Sequence, residues 1–150
     1  MGNRCVITTA CDDAMTSENF GVYLHWNGGR DSVEAFLAYC KLKGYRSPDS
    51  DCYGWARLCQ VVGNYFGGET SVGFELCTCL DCDNWDNGVY IIEGWEIVDR
   101  QYIKRGEQHG HNLRSMLTEI NQYQPVREQL EQKVIDDYCA ALRPATEDAT

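Results

Sequence analysis

The chain has 150 residues, 43% of them hydrophobic, and a formal net charge of −10. That length suits one domain with a real core, and no stretch reaches the roughly 20 apolar residues of a membrane span. The acidic balance argues against general nucleic-acid binding, which needs clustered positive charge to displace counterions.

With no charged-then-apolar leader, a soluble, cytoplasmic protein is expected. Nine cysteines cannot all pair within one molecule. Cys40 and Cys59 also fall on apolar helical positions, so most thiols are read as reduced.

In chain order, "RCVITTA" reads as a first strand and "FGVYLHW" as a second, a hairpin if they pair. Asp31 then caps a helix, with Glu34 as its capping-box partner. Val33, Phe36, Leu37 and Cys40 form its buried stripe, and Gly44 stops it. Trp55, Leu58, Cys59, Val62 and Phe66 share one face of a second helix that ends at Gly67-Gly68. "SVGFEL" is a third strand, and "GVYIIE" and "WEIVDRQYI" are two more. Ile91 and Ile92, apolar on both faces, place the fourth strand centrally. "RGEQHGHN" is a loop. Leu113, Met116, Leu117 and Ile120 mark a third helix. Pro125 opens a fourth, lined by Leu130, Val134, Tyr138 and Ala141.

The order ββααβββαα predicts an α+β fold. About five strands form a mainly antiparallel sheet, with about four helices packed on it. Residues 1–143 form one domain, and 144–150 a flexible tail.

Charge is unevenly placed. Residues 47–99 hold ten acids against Arg57 alone. Carboxylates of Glu75, Asp81, Asp83, Asp86, Glu93, Glu96 and Asp99, interleaved with Trp85, Tyr90 and Trp95, suit a partner protein with a basic groove. The plain alternative is a solvated acidic surface.

The turn "HWNGGR" is a second candidate. A strand ending in glycines and opening a helix can aim backbone N–H groups at an anion. Arg30 would add a fork of donors, His25 a titratable group and Trp26 a flat face; Asn27, Gly28 and Gly29 complete the turn. A nucleotide-like ligand would fit, although Asp31 places its own charge there and the spacing matches no P-loop. The structural alternative is a tight turn with Trp26 under the helix.

Cys77, Cys79 and Cys82 could hold zinc, with Cys52, Cys59, His109 or His111 as fourth ligand. Only one such knuckle is present, so the leading expectation is no cofactor. Asp81, Asp83 and Asp86 resemble a calcium loop, but the order is wrong for an EF-hand. Asn87-Gly88 reads more simply as a hairpin turn.

Arg4, Cys5, Ile7, Tyr23, His25, Trp26, Asn27 and Gly28 carry a resemblance. "NRCVI" followed by "GVYLHWNGG" is similar to a family of small phage, plasmid and bacterial proteins that has no settled activity. Its members share an Arg-Cys-x-Ile strand and a Tyr-x-His-Trp-(Asp or Asn)-Gly turn. The resemblance covers about residues 3–40 and implies a mobile-element accessory protein of the anti-defence kind, exemplified by anti-CRISPR inhibitors.

The leading expectation is therefore a non-catalytic inhibitor of a host nucleic-acid-handling defence component, bound through the acidic surface. The alternatives are a nucleotide-sequestering protein acting at the HWNGGR turn, a phosphodiesterase with His25 as acid or base, and a plain structural domain.

Overall fold

The computed structural model of the protein describes residues 2–68 and 70–142. The expected tail at 144–150, and residue 143, lie outside the described residues. Along the chain come β1 (Cys5–Thr9), β2 (Phe20–Leu24), α1 (Arg30–Leu42), α2 (Cys52–Phe66), β3 (Val72–Leu76), β4 (Val89–Glu93), β5 (Glu96–Gln101), α3 (Leu113–Gln122) and α4 (Gln132–Ala141). The class is α+β, as expected. Among the described residues, no helix is long and apolar enough to cross a membrane.

The five strands form one sheet in the order β3-β2-β1-β4-β5. β1 pairs antiparallel with β2, and β2 with β3, but β1 runs parallel to β4. The sheet is therefore mixed, which corrects the mainly antiparallel expectation in that pairing. A parallel neighbour needs a long crossover, and here α1, α2 and β3 all intervene between β1 and β4. Asn87-Gly88 is accordingly no hairpin turn. Gly88 does take a positive φ of 73°, but it feeds the parallel strand, its carbonyl accepting from Val6 N–H at 2.9 Å.

The sheet is buried on both faces. Cys5, Ile7, Tyr90 and Ile92 point to the helices, while Val6, Val89 and Ile91 point the other way, onto Ala14, Cys77 and Cys82. That alternation explains the continuous apolar run of β4. The second face is covered by loops with short 3-10 turns at Ala14–Thr16 and Cys77–Cys79 rather than by α-helices. Gln101 ties one down, donating to Cys11 O at 3.0 Å and accepting from Ala14 N at 2.9 Å.

Helix ends follow local chemistry. Asp51 caps α2 by accepting from Tyr53 N at 3.0 Å, and Asn112 caps α3 by accepting from Ser115 N at 3.1 Å. Gly67 closes α2 in the left-handed region at φ 62°. Two expectations are corrected. The N-cap of α1 is Gly29, without a side-chain cap, and Asp31 sits inside the first turn. Pro125 opens only a short turn at Val126–Glu128, and α4 starts at Gln132. Asn121 holds the intervening chain out of helix, accepting from Leu130 N at 2.7 Å and donating to Leu130 O at 3.0 Å. The fully buried residue of α4 is then Ile135, while Val134 is exposed.

Candidate functional site

The β2–α1 turn is shaped by what presses on it. Gly28 N–H donates to Asn3 O at 2.8 Å, and a Cβ on Gly29 would meet Gln108 O at 2.2 Å. Asn27 takes a positive φ of 59°, a conformation that asparagine tolerates better than most residues. The loop at 103–112 folds over the helix start and supplies its own charge. Arg30 Nε donates to Glu107 Oε2 at 2.8 Å, Tyr90 Oη donates to the same oxygen at 2.8 Å, and the Arg30 guanidinium lies 5.4 Å from the Tyr90 ring centroid. Burial opposes the ionisation of Glu107, but the Tyr90 and Arg30 hydrogen bonds outweigh it and hold the carboxyl below its ordinary range. Asp31 faces His109 at 3.4 Å, and His111 contacts Ser32 Oγ at 3.1 Å and Asn27 Nδ2 at 3.3 Å. The position expected for an outside anion is thus taken by the chain's own carboxylates, Glu107 and Asp31.

The open side of the turn is its other flank. Tyr23 and His25 project from one face of β2, as residues two apart do, with Tyr23 Oη and His25 Nδ1 at 2.8 Å. Trp26 stands edge-on to His25, centroids 5.0 Å apart, and is 44% exposed. With Thr70, Ser71 and Val72 they line an open hollow of about 770 Å³. His25 N–H donates to Ser71 O at 2.9 Å, which brings the start of β3 alongside. Ser71 Oγ is buried and has no hydrogen-bond partner among the described residues. A second hollow, about 250 Å³, lies between Trp26, Asn27, Tyr65, Glu119 and Tyr123. Trp26 is the wall between the two.

The structure therefore keeps His25, Trp26 and Asn27 together and open, and removes Gly28, Gly29 and Arg30 to the covered side. Sequence reading missed Ser71, because only the β2–β3 register brings it beside His25. The repeated polar-aromatic step from Tyr23 to His25 was the available signal for the rest.

The acidic segment is cross-tied. Asp86, 2% exposed, accepts from Arg4 Nε at 2.7 Å and Arg105 Nη2 at 2.8 Å. Asp81 lies 3.6 Å from Arg4, Asp83 3.8 Å from Lys104 and Glu96 2.6 Å from Lys41. Glu75, Glu93 and Asp99 make no ion pair among the described residues. Of the aromatics, Trp85 is 60% exposed, whereas Trp95 is 8% exposed with its indole N–H on Tyr45 O at 2.9 Å, and Tyr90 is fully buried. Of the seven carboxylates expected on an open negative face, four are ion-paired, and among the other three Glu75 and Asp99 lie on opposite edge strands, β3 and β5.

All nine cysteines are free thiols. Cys77 and Cys82 sit inside the second core cluster while Cys79 is exposed, and burial pushes the Cys82 thiol up to about 12. Metal binding needs thiolates. Among the described residues, no group of three or more His, Cys, Asp or Glu side chains is gathered for a metal ion, so neither the zinc set nor the calcium set is brought together.

No protein-family model, curated protein or solved structure matches the chain.

Proposed function

We propose that the protein is a non-catalytic binding protein whose ligand site is the hollow between Tyr23, His25, Trp26 and Ser71, and that the group it takes is a nucleobase. One observation carries the reading. The hollow joins an exposed indole face to a buried hydroxyl, Ser71 Oγ, that has no partner among the described residues. A buried hydroxyl left unpaired costs about 1–3 kcal/mol, which a hydrogen-bonding ligand would recover. Tyr23 and His25 add donors and acceptors at the edge, and Trp26 offers a stacking face, the pairing that base recognition uses.

Arg30 is held by Glu107, so the base rather than the phosphate supplies the affinity. Nucleosides are expected to bind about as well as nucleotides in titration calorimetry. Trp26→Ala weakens binding by about 1–3 kcal/mol, the usual worth of one base stacked on an aromatic ring. Ser71→Ala weakens it by about 1 kcal/mol, and Arg30→Gln leaves it nearly unchanged. Absence of binding by every nucleoside at millimolar concentration would sink the proposal. Chromatography of the released ligand separates binding from the phosphodiesterase reading, in which His25 would cleave the nucleotide.

A second reading, inhibition of a host nucleic-acid-handling defence complex, draws support from exposed Trp85 and the carboxylates of Glu75, Glu93 and Asp99. Contacts of that kind weaken steeply with salt. Affinity for such a complex that is flat between low and physiological ionic strength would count against it.

A further inference from the structure

A different hollow, of about 320 Å³, opens between α2 and the connection from α3 to α4. Arg57, Gln60, Val61 and Asn64 lie at i, i+3, i+4 and i+7 on α2, so one helix face supplies one wall. Tyr45, Gln124, Pro125, Arg127 and Glu128 supply the other. Its floor is fixed. Buried Gln124 donates to Val61 O at 3.1 Å and Ile120 O at 3.2 Å, and accepts from Asn64 Nδ2 at 2.9 Å.

Charge sets this hollow apart. Among the described residues, the hollow beside Trp26 is lined by no arginine, lysine, aspartate or glutamate, that of Tyr65 and Tyr123 carries Glu119, that of Arg114 is balanced by Glu119, and that of Trp95 holds Glu34 and Glu96. Among these five hollows, as lined by the described residues, cations exceed anions in this one, in a chain of net charge −10. Arg57 bonds to Gln60 Oε1 at 2.8 Å and pairs with no carboxylate among the described residues. Glu128 is shared, its carboxylate 3.3 Å from Lys43 and in a longer ion pair, 3.8 Å, with Arg127 Nε that is too far for a hydrogen bond. The Arg127 side chain is 87% exposed, and its guanidinium donors, not hydrogen-bonded by Glu128, face solvent or a ligand.

We propose that this hollow binds a small phosphate monoester, its tetrahedral oxyanion held between the guanidinium groups of Arg57 and Arg127. Two forks approaching from different elements suit a dianion with three free oxygens better than a carboxylate, which one fork satisfies. The volume lies near the lower end of ligand pockets, and the Tyr45 ring and Pro125 give the ester's carbon skeleton an apolar wall. The proposal is independent of the nucleobase site, which shares none of these residues.

Titration calorimetry with glycerol 3-phosphate and inorganic phosphate, at ionic strength matched with sodium chloride, tests it. One saturable site is expected, with the ester bound at least as tightly as free phosphate. Arg57→Gln and Arg127→Gln should each weaken it about tenfold or more, as loss of a charge-assisted pair does. Arg114→Gln, outside the hollow, should leave it unchanged. Both test arginines are exposed, so circular dichroism should report native folding in each variant. No saturable heat above the chloride-matched blank overturns the proposal, and so does binding that survives both substitutions.

Discussion

At Gly29 an added Cβ would lie 2.2 Å from the Gln108 carbonyl oxygen, and at Gly28 2.5 Å from that of Asn3. Gly29 sits at an ordinary extended φ of −73°, so its constraint is space, not torsion. Gly63 is the opposite case: it lies within α2, and nothing stands within 4 Å of its missing Cβ. The two alanine substitutions should therefore differ in sign. Gly29→Ala forces backbone against backbone and should cost about 1–3 kcal/mol, as overpacking does. Gly63→Ala should stabilise by about 0.5–1 kcal/mol through lost chain entropy in the unfolded state. Urea denaturation of both variants checks this. Equal or same-signed effects would mean that the hinge relaxes around a side chain, and that its glycines serve some other purpose.

Legibility changes with the element. The stripes of α1 and α2 were readable because 3.6-residue periodicity is a local property, and Val33, Phe36, Leu37 and Cys40 are indeed all buried. The start of α4 was not. Pro125 is a good first-turn residue, but Asn121 grips Leu130 from another helix, and no local pattern reports that grip. Strands were found, yet their partners were not, because parallel pairing of β1 with β4 depends on the path of the whole crossover. The candidate site divides the same way. Tyr23, His25 and Trp26 are neighbours in sequence and stay neighbours in space. Ser71 arrives through strand register, and Glu107 reaches Arg30 across 77 residues. Charge summed along the sequence misled for a related reason: Arg4, Lys41, Lys104 and Arg105 lie outside the acidic segment but fold onto it.

At the scale of the whole molecule, Asp86 joins the start of β1 to the loop that follows β5. Its carboxylate accepts from Arg4 N at 3.1 Å, from Arg4 Nε and from Arg105, while Asn84 and Asn87 bind the surrounding backbone. Burial opposes the ionisation of Asp86, but the hydrogen bonds from Arg4 and Arg105 outweigh it and hold the carboxyl below its ordinary range. Glu107 is lowered in the same sense. A folded-state pKa below the unfolded one, about 3.9 for aspartate and 4.3 for glutamate, gives stability that is fully present above those values. That contribution is lost as pH falls through the folded-state value, because the unfolded chain then binds more protons. Glu34 works the other way: burial raises its carboxyl, so its contribution fades as pH rises. With Asp51, lowered by its hydrogen bond from Arg46, three lowered carboxyls against one raised predict net acid lability. Asp86→Asn removes the charge that the partly exposed Arg4 and Arg105 share and should destabilise the protein at neutral pH by about 1.5–3 kcal/mol, the usual worth of hydrogen bonds to a charged group. The gap from the unsubstituted protein should then narrow as pH falls from 7 towards 3, since acid neutralises the native aspartate as well. Guanidinium denaturation across that range measures the gap directly. A gap that stays constant would show that Asp86 acts through shape alone, and that its charge pairing contributes little to holding the start of β1 against the loop after β5.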